Sequence, residues 1–91
     1  MTDENAVFIG KKDTMSYVMA AVTQFKSGSD EVVIKARGKA ISKAVDVAEI
    51  TKNRFVSDAE IKAIVTETEK IPIEDEEQPT KVSAIEITMN I

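Results

Sequence analysis

The chain holds neither cysteine nor histidine, so its chemistry rests on cations, carboxylates and hydroxyls. Nucleophilic catalysis of the usual kinds is poorly supported, because thiolate, imidazole base and triad members are all missing. Gly38 and Lys39 resemble the end of a phosphate loop, but that motif needs an earlier glycine where Val33 stands, so nucleotide hydrolysis is not expected. Carboxylates offer two candidate metal sites: the run Glu74, Asp75, Glu76, Glu77, and the pair Asp46 and Glu49 one helical turn apart. Acidic runs in loops are ordinarily just solvated. The expectation is no metal, no cofactor and no enzyme.

The stronger pattern is basic. Lys11 and Lys12 follow Gly10, and Lys35, Arg37 and Lys39 surround Ala36 and Gly38. If these are the ends of two strands, both sets can lie on one edge. A helix starting near Gly38 would expose unpaired N–H groups with partial positive charge, a natural place for a phosphate, with Ser42 and Lys43 one turn on. Gly38 would allow a close backbone approach. The residues alone leave two readings open: a binding surface, or ordinary surface charge.

These positions depend on the elements that carry them. Ala6 to Ile9 is an apolar run stopped by Gly10 and reads as a first, buried strand. Asp13 or Thr14 can cap a helix with apolar positions at Met15, Val18, Met19, Val22 and Phe25, ending near Gly28. Val32 to Ile34, running into Lys35 and Ala36, reads as a second strand. Ile41, Ala44, Val45 and Ala48 form the stripe of a second helix from Lys39 to about Asn53. Then the period changes to two. Ile61, Ala63 and Val65 alternate with Glu60, Lys62 and Ile64, and Ile85, Ile87, Met89 and Ile91 alternate with Glu86, Thr88 and Asn90. The segment from Glu69 to Thr80, with Pro72, Pro79 and the acidic run, reads as a long exposed hairpin arm. The order β-α-β-α-β-β predicts an α+β two-layer sandwich, two helices on a four-stranded mixed sheet, whose other face needs water or a partner.

At 91 residues the chain suits one domain, 1–91, with one modest core, and no disulfide or zinc is available to reinforce it. A partner subunit is thus favoured. The acidic start and the short apolar run Tyr17 to Val22 point away from a secretory signal or a membrane span, towards a cytoplasmic protein. The net charge of −4 is wrong in sign for a generic DNA coat. Its distribution matters more: residues 11–54 carry nine bases and five acids, whereas residues 55–91 carry three bases and nine acids. The basic island is what a nucleic-acid binder displays.

The stretch Ile9-Gly10-Lys11-Lys12 with Met15, Tyr17 and Val18, and the stretch from Val33 through Arg37-Gly38-Lys39-Ala40-Ile41-Ser42-Lys43 to Asp46, are similar to the signature segments of the Alba family. Asn53-Arg54-Phe55 and Ser83-Ala84-Ile85-Glu86-Ile87 extend the resemblance over nearly the whole chain. It implies a homodimer that binds double-stranded DNA, and also RNA, with little sequence preference, coating archaeal chromosomes. By position it implies that Lys11, Lys12, Arg37, Lys39 and Lys43 contact nucleic acid. Lys11 falls at the acetylation position, and Arg54 and Phe55 fall at a contact between dimers. Read without the resemblance, Phe55 could instead close the core, and Arg54 could cap the preceding helix.

The arm departs from the family pattern. Basic residues are expected there, whereas Glu74, Asp75, Glu76 and Glu77 would meet phosphate with like charge, relieved only by Lys70 and Lys81. Three readings follow: a chromatin-type protein on duplex DNA, a module shifted towards RNA or selected DNA sites, and a protein-interaction module that has lost nucleic-acid binding.

Overall fold

The computed structural model describes residues 5–72 and 80–91. The chain forms β1 (Ala6–Phe8), α1 (Thr14–Lys26), β2 (Glu31–Arg37), a 3-10 turn (Gly38–Ala40), α2 (Ile41–Ile50), a π turn (Thr51–Phe55), β3 (Glu60–Ile71) and β4 (Thr80–Asn90). The strands make one mixed sheet in the order β1-β2-β4-β3, with two helices on one face. Among the described residues, β1 and β2 run parallel and the other neighbouring strands antiparallel. The predicted fold class therefore holds.

Asp13 starts α1: its backbone is extended and its carboxylate accepts the N–H of Ser16 at 3.0 Å, satisfying a donor that the first turn leaves open. The helix ends where Gly28 takes φ +106°, a conformation that side chains with a Cβ resist. Its buried stripe is Val18, Ala21, Val22 and Phe25. Met15 and Met19, expected in that stripe, are exposed instead. The same happens in α2, where Val47 is buried beside Ala44 and Ala48 while Val45 faces outwards. Small residues line the inner face because α1 and α2 pack against each other as well as on the sheet. From below, Val32, Ile34 and Ala36 of β2 and Ile85, Ile87 and Met89 of β4 complete the core. Each fully buried Val, Ile or Met side chain contributes about 1.5–3 kcal/mol of apolar transfer.

Three expectations need correction. The second helix is not one continuous element from Lys39 to Asn53. It opens as a 3-10 turn because Gly38 takes φ +60°, and closes as a π turn in which the Val56 N–H reaches back to the Thr51 carbonyl at 2.8 Å. The hairpin arm is present, but its strands run further than expected: β3 and β4 stay in register out to Ile71 opposite Thr80, so Glu69, Lys70 and Ile71 belong to β3. A bulge between Ile61 and Ala63 breaks the predicted alternation, so that Ile64 stands opposite Ile87 and Val65 opposite Glu86; both Ile64 and Val65 are exposed. The acidic run Glu74 to Glu77 and Pro79 lie outside the described residues.

Candidate nucleic-acid interface

The parallel pairing of β1 and β2 decides where the bases go. Phe8 stands opposite Lys35, and the Ile9 N–H donates to the Lys35 carbonyl at 2.9 Å. Both strands therefore leave the sheet at the same end, and the segments Gly10–Lys12 and Arg37–Lys39 emerge there together. Lys11, Lys12, Arg37 and Lys39 are all exposed. The common edge inferred from the sequence is thus realised for all four.

Lys43 differs. Its ammonium donates to the Lys12 carbonyl at 2.7 Å and the Gly10 carbonyl at 3.1 Å, and lies 5.9 Å from the centre of the Tyr17 ring. The Tyr17 hydroxyl oxygen in turn accepts the N–H groups of Gly10 at 2.9 Å and Lys12 at 3.0 Å. The far end of the loop is held by Asp13. Hydrogen bonds from the Ser16 hydroxyl and then the Ser16 N–H hold its carboxyl below the usual aspartate range, with a smaller contribution from the Lys43 charge. Tyr17 was legible only as part of a family motif, since nothing in its spacing reveals that its oxygen meets two backbone donors.

At the second segment the 3-10 turn has no side-chain cap for its first N–H groups, whereas the Ile41 N–H that opens α2 donates to the Gly38 carbonyl. A 3-10 turn, not an α turn, occupies the predicted start of the second helix. Gly38 is required for its backbone: a Cβ there would sit at an ordinary 3.5 Å from Val82 Cγ1, but φ +60° would be strained. Arg37 also has an internal partner, because its Nη1 lies 2.9 Å from Glu69 Oε1 at the base of the arm.

Beside that pair a groove of about 380 Å3 opens between β1, β2 and the β3-β4 ribbon, lined in part by Phe8, Lys35, Glu67 and Glu86. Lys35 lies 5.5 Å from the centre of the Phe8 ring and 3.8 Å from Glu86. The carboxylates of Glu67, Glu69 and Glu86 share this groove with the cations Lys35 and Arg37, and two of the three, Glu86 and Glu69, are paired with them.

Other candidates stand apart from this edge. Asp46 is exposed, and Glu49 is engaged by Lys52 and Asn53, both at 3.4 Å. Among the described residues, no three acidic, His or Cys side chains gather where they could hold a metal ion. Arg54 and Phe55 lie exposed on the π turn; Phe55 keeps 42% of its surface and stays outside the core, which Val56 helps to close.

The Alba family profile matches residues 5–69 of the chain. The chain belongs to the Alba family. Over 90 residues it is 51% identical to a protein of Thermoplasma acidophilum named DNA/RNA-binding protein Alba, covering 99% of each. It is 58% identical over 87 residues to DNA/RNA-binding protein Alba 1 of Archaeoglobus fulgidus, covering 94% of each. The solved structure of Alba from Thermoplasma volcanium superposes with a TM-score of 0.87 at 50% identity, spanning 96% of this chain and all of that one. Among the described residues, no helix of this Alba protein is long and apolar enough to cross a membrane.

Proposed function

We propose that residues 1–91 act as one nucleic-acid-binding domain without enzymatic chemistry, a chromatin-type protein that binds double-stranded DNA with little sequence preference and helps to package it. The observation that carries this reading is the convergence of Lys11, Lys12, Arg37 and Lys39 at one end of the sheet, beside a 3-10 turn that has no side-chain cap. Exposed cations so grouped release counterions on meeting a phosphate backbone, and backbone contact is indifferent to sequence. The names of the relatives point the same way.

A homodimer fits this role. Among the described residues β3 pairs only with β4 and so presents an edge strand, and Ile64 and Val65 stand exposed on it. Arg54 and Phe55 are suited to a contact between dimers, because an exposed aromatic and an arginine are favoured at interfaces. Lys11 is the proposed acetylation position, where loss of charge would weaken phosphate binding. Cytoplasm and chromosome are the corresponding locations.

A second reading, towards RNA or selected DNA sites, draws on Glu69. It occupies Arg37, and with Glu67 and Glu86 it surrounds that end of the sheet with negative charge. The test is a salt titration of binding to random duplex and to structured RNA of equal length, for the wild type and Lys11→Ala/Lys12→Ala/Arg37→Ala. Tight duplex binding whose salt slope falls by about 0.9 per lost phosphate contact supports the chromatin reading. Preference for RNA supports the second; flat binding insensitive to the mutations rejects both and leaves a protein-interaction module.

A further inference from the structure

We propose that Lys43, with Tyr17, is a positioning residue for the Lys11–Lys12 loop, acting on nucleic acid through that loop instead of by touching phosphate. This rests on the nucleic-acid reading above.

The geometry is specific. A loop of four residues, Gly10 to Asp13, must present two adjacent like-charged side chains, an arrangement that electrostatic repulsion and chain entropy both oppose. Opposite groups of its backbone are gripped by two side chains from different helices. Lys43 of α2 donates to the carbonyls of Gly10 and Lys12, at 3.1 and 2.7 Å, and Tyr17 of α1 accepts the N–H groups of the same two residues, at 2.9 and 3.0 Å. Both backbone polar groups of Gly10 and of Lys12 are thereby engaged, while Lys11 and Lys12 remain exposed. The two clamps also meet each other, the Lys43 ammonium lying 5.9 Å from the Tyr17 ring centre.

Gly10 belongs to the same device. A Cβ at that position would come within 3.3 Å of the Tyr17 hydroxyl, a tight approach that would push the acceptor away from the two N–H groups it serves. Two of the three donors of the Lys43 ammonium are directed at these carbonyls, so a phosphate that met it directly would compete with the loop for it. Held in place, the loop meets phosphate without first being ordered, so less conformational entropy is lost on binding.

The test is a set of binding cycles at low salt on a random duplex, with Tyr17→Phe, which changes no charge, and Lys43→Met, each made in the wild type and in Lys11→Ala/Lys12→Ala. Thermal unfolding and the hydrogen exchange of the Gly10 and Lys12 amides accompany them. The expected result is a loss of affinity of about three- to tenfold for each single variant, from one or two exposed hydrogen bonds. The Gly10 and Lys12 amides should exchange faster in both. In the Lys11→Ala/Lys12→Ala background neither substitution should weaken binding further, because the loop then has no charge to present.

Three results would overturn the proposal: faster amide exchange with unchanged affinity, a Lys43→Met loss equally large in both backgrounds, or unchanged exchange in Tyr17→Phe. The second would make Lys43 a direct phosphate contact. In each case a wild type that still binds duplex leaves the broader reading intact, whereas a wild type that binds neither duplex nor RNA rejects that reading itself.

Discussion

At the scale of single residues, this chain sets charge against charge. Arg37 is a proposed phosphate contact, yet Glu69 holds it at 2.9 Å, so nucleic acid must compete with a carboxylate for the same guanidinium. The pair is solvent-accessible, with 62% and 39% of the two side chains exposed, so its net strength is small, about 0.2–1 kcal/mol. Glu69→Gln should therefore tighten duplex binding by about two- to fivefold at low salt, measured by fluorescence anisotropy, with the difference fading as salt rises. An unchanged affinity would mean that Arg37 takes no part in binding. Thr51 is a different case. It is fully buried at the start of the π turn, and its hydroxyl has no hydrogen-bond partner among the described residues. Thr51→Val removes that unpaired group while keeping the shape, and should raise stability by about 1 kcal/mol in urea unfolding.

At the scale of elements, α1 shows how one capping residue ties helix stability to the presentation of the basic loop. Asp13 ends the loop and begins the helix, and the Ser16 hydroxyl and N–H hold its carboxyl below its ordinary range. A carboxyl whose folded pKa is depressed stabilises the fold above its unfolded pKa, and that contribution is lost as the pH falls through the folded value. The thermal midpoint of the wild type should thus exceed that of Asp13→Ala at neutral pH, and the gap should shrink on acidification below the usual aspartate range. A gap constant down to strongly acidic pH would deny the cap its ionic character. Element ends were the least legible part of the sequence. The apolar stripe of α2 marks a helix, but Gly38 opening it in a 3-10 turn and the Val56 N–H closing it in a π turn are backbone events that side-chain spacing does not encode.

At the scale of the whole molecule, a 12-residue β3 paired along β4 makes a ribbon whose β3 side is exposed along most of its length. Such a strand leaves one row of backbone groups unpaired along its outer edge, and 56% of Ile64 and 54% of Val65 are exposed beside it. Those side chains are more easily explained by a second subunit than by water. Ile64→Lys should leave the fold intact, because the position is already exposed, and should shift the proposed homodimer to monomer in sedimentation equilibrium. A dimer that persists would move the interface elsewhere on the molecule.

The order of elements, the fold class and the two basic segments were determined by the sequence itself, because periodicity, glycines and charge are local properties. Lys11, Lys12, Arg37 and Lys39 could be singled out from type and position. Tertiary structure decided three things that local pattern cannot hold. The parallel register of β1 and β2 brought the two basic segments to one end of the sheet. Contacts across 33 and 31 residues turned the Lys43 ammonium onto the carbonyls of Gly10 and Lys12. The antiparallel ribbon brought Glu69 against Arg37, 32 residues away. Each is a meeting of groups distant in the chain, and a one-dimensional pattern records which groups are present but not which of them meet.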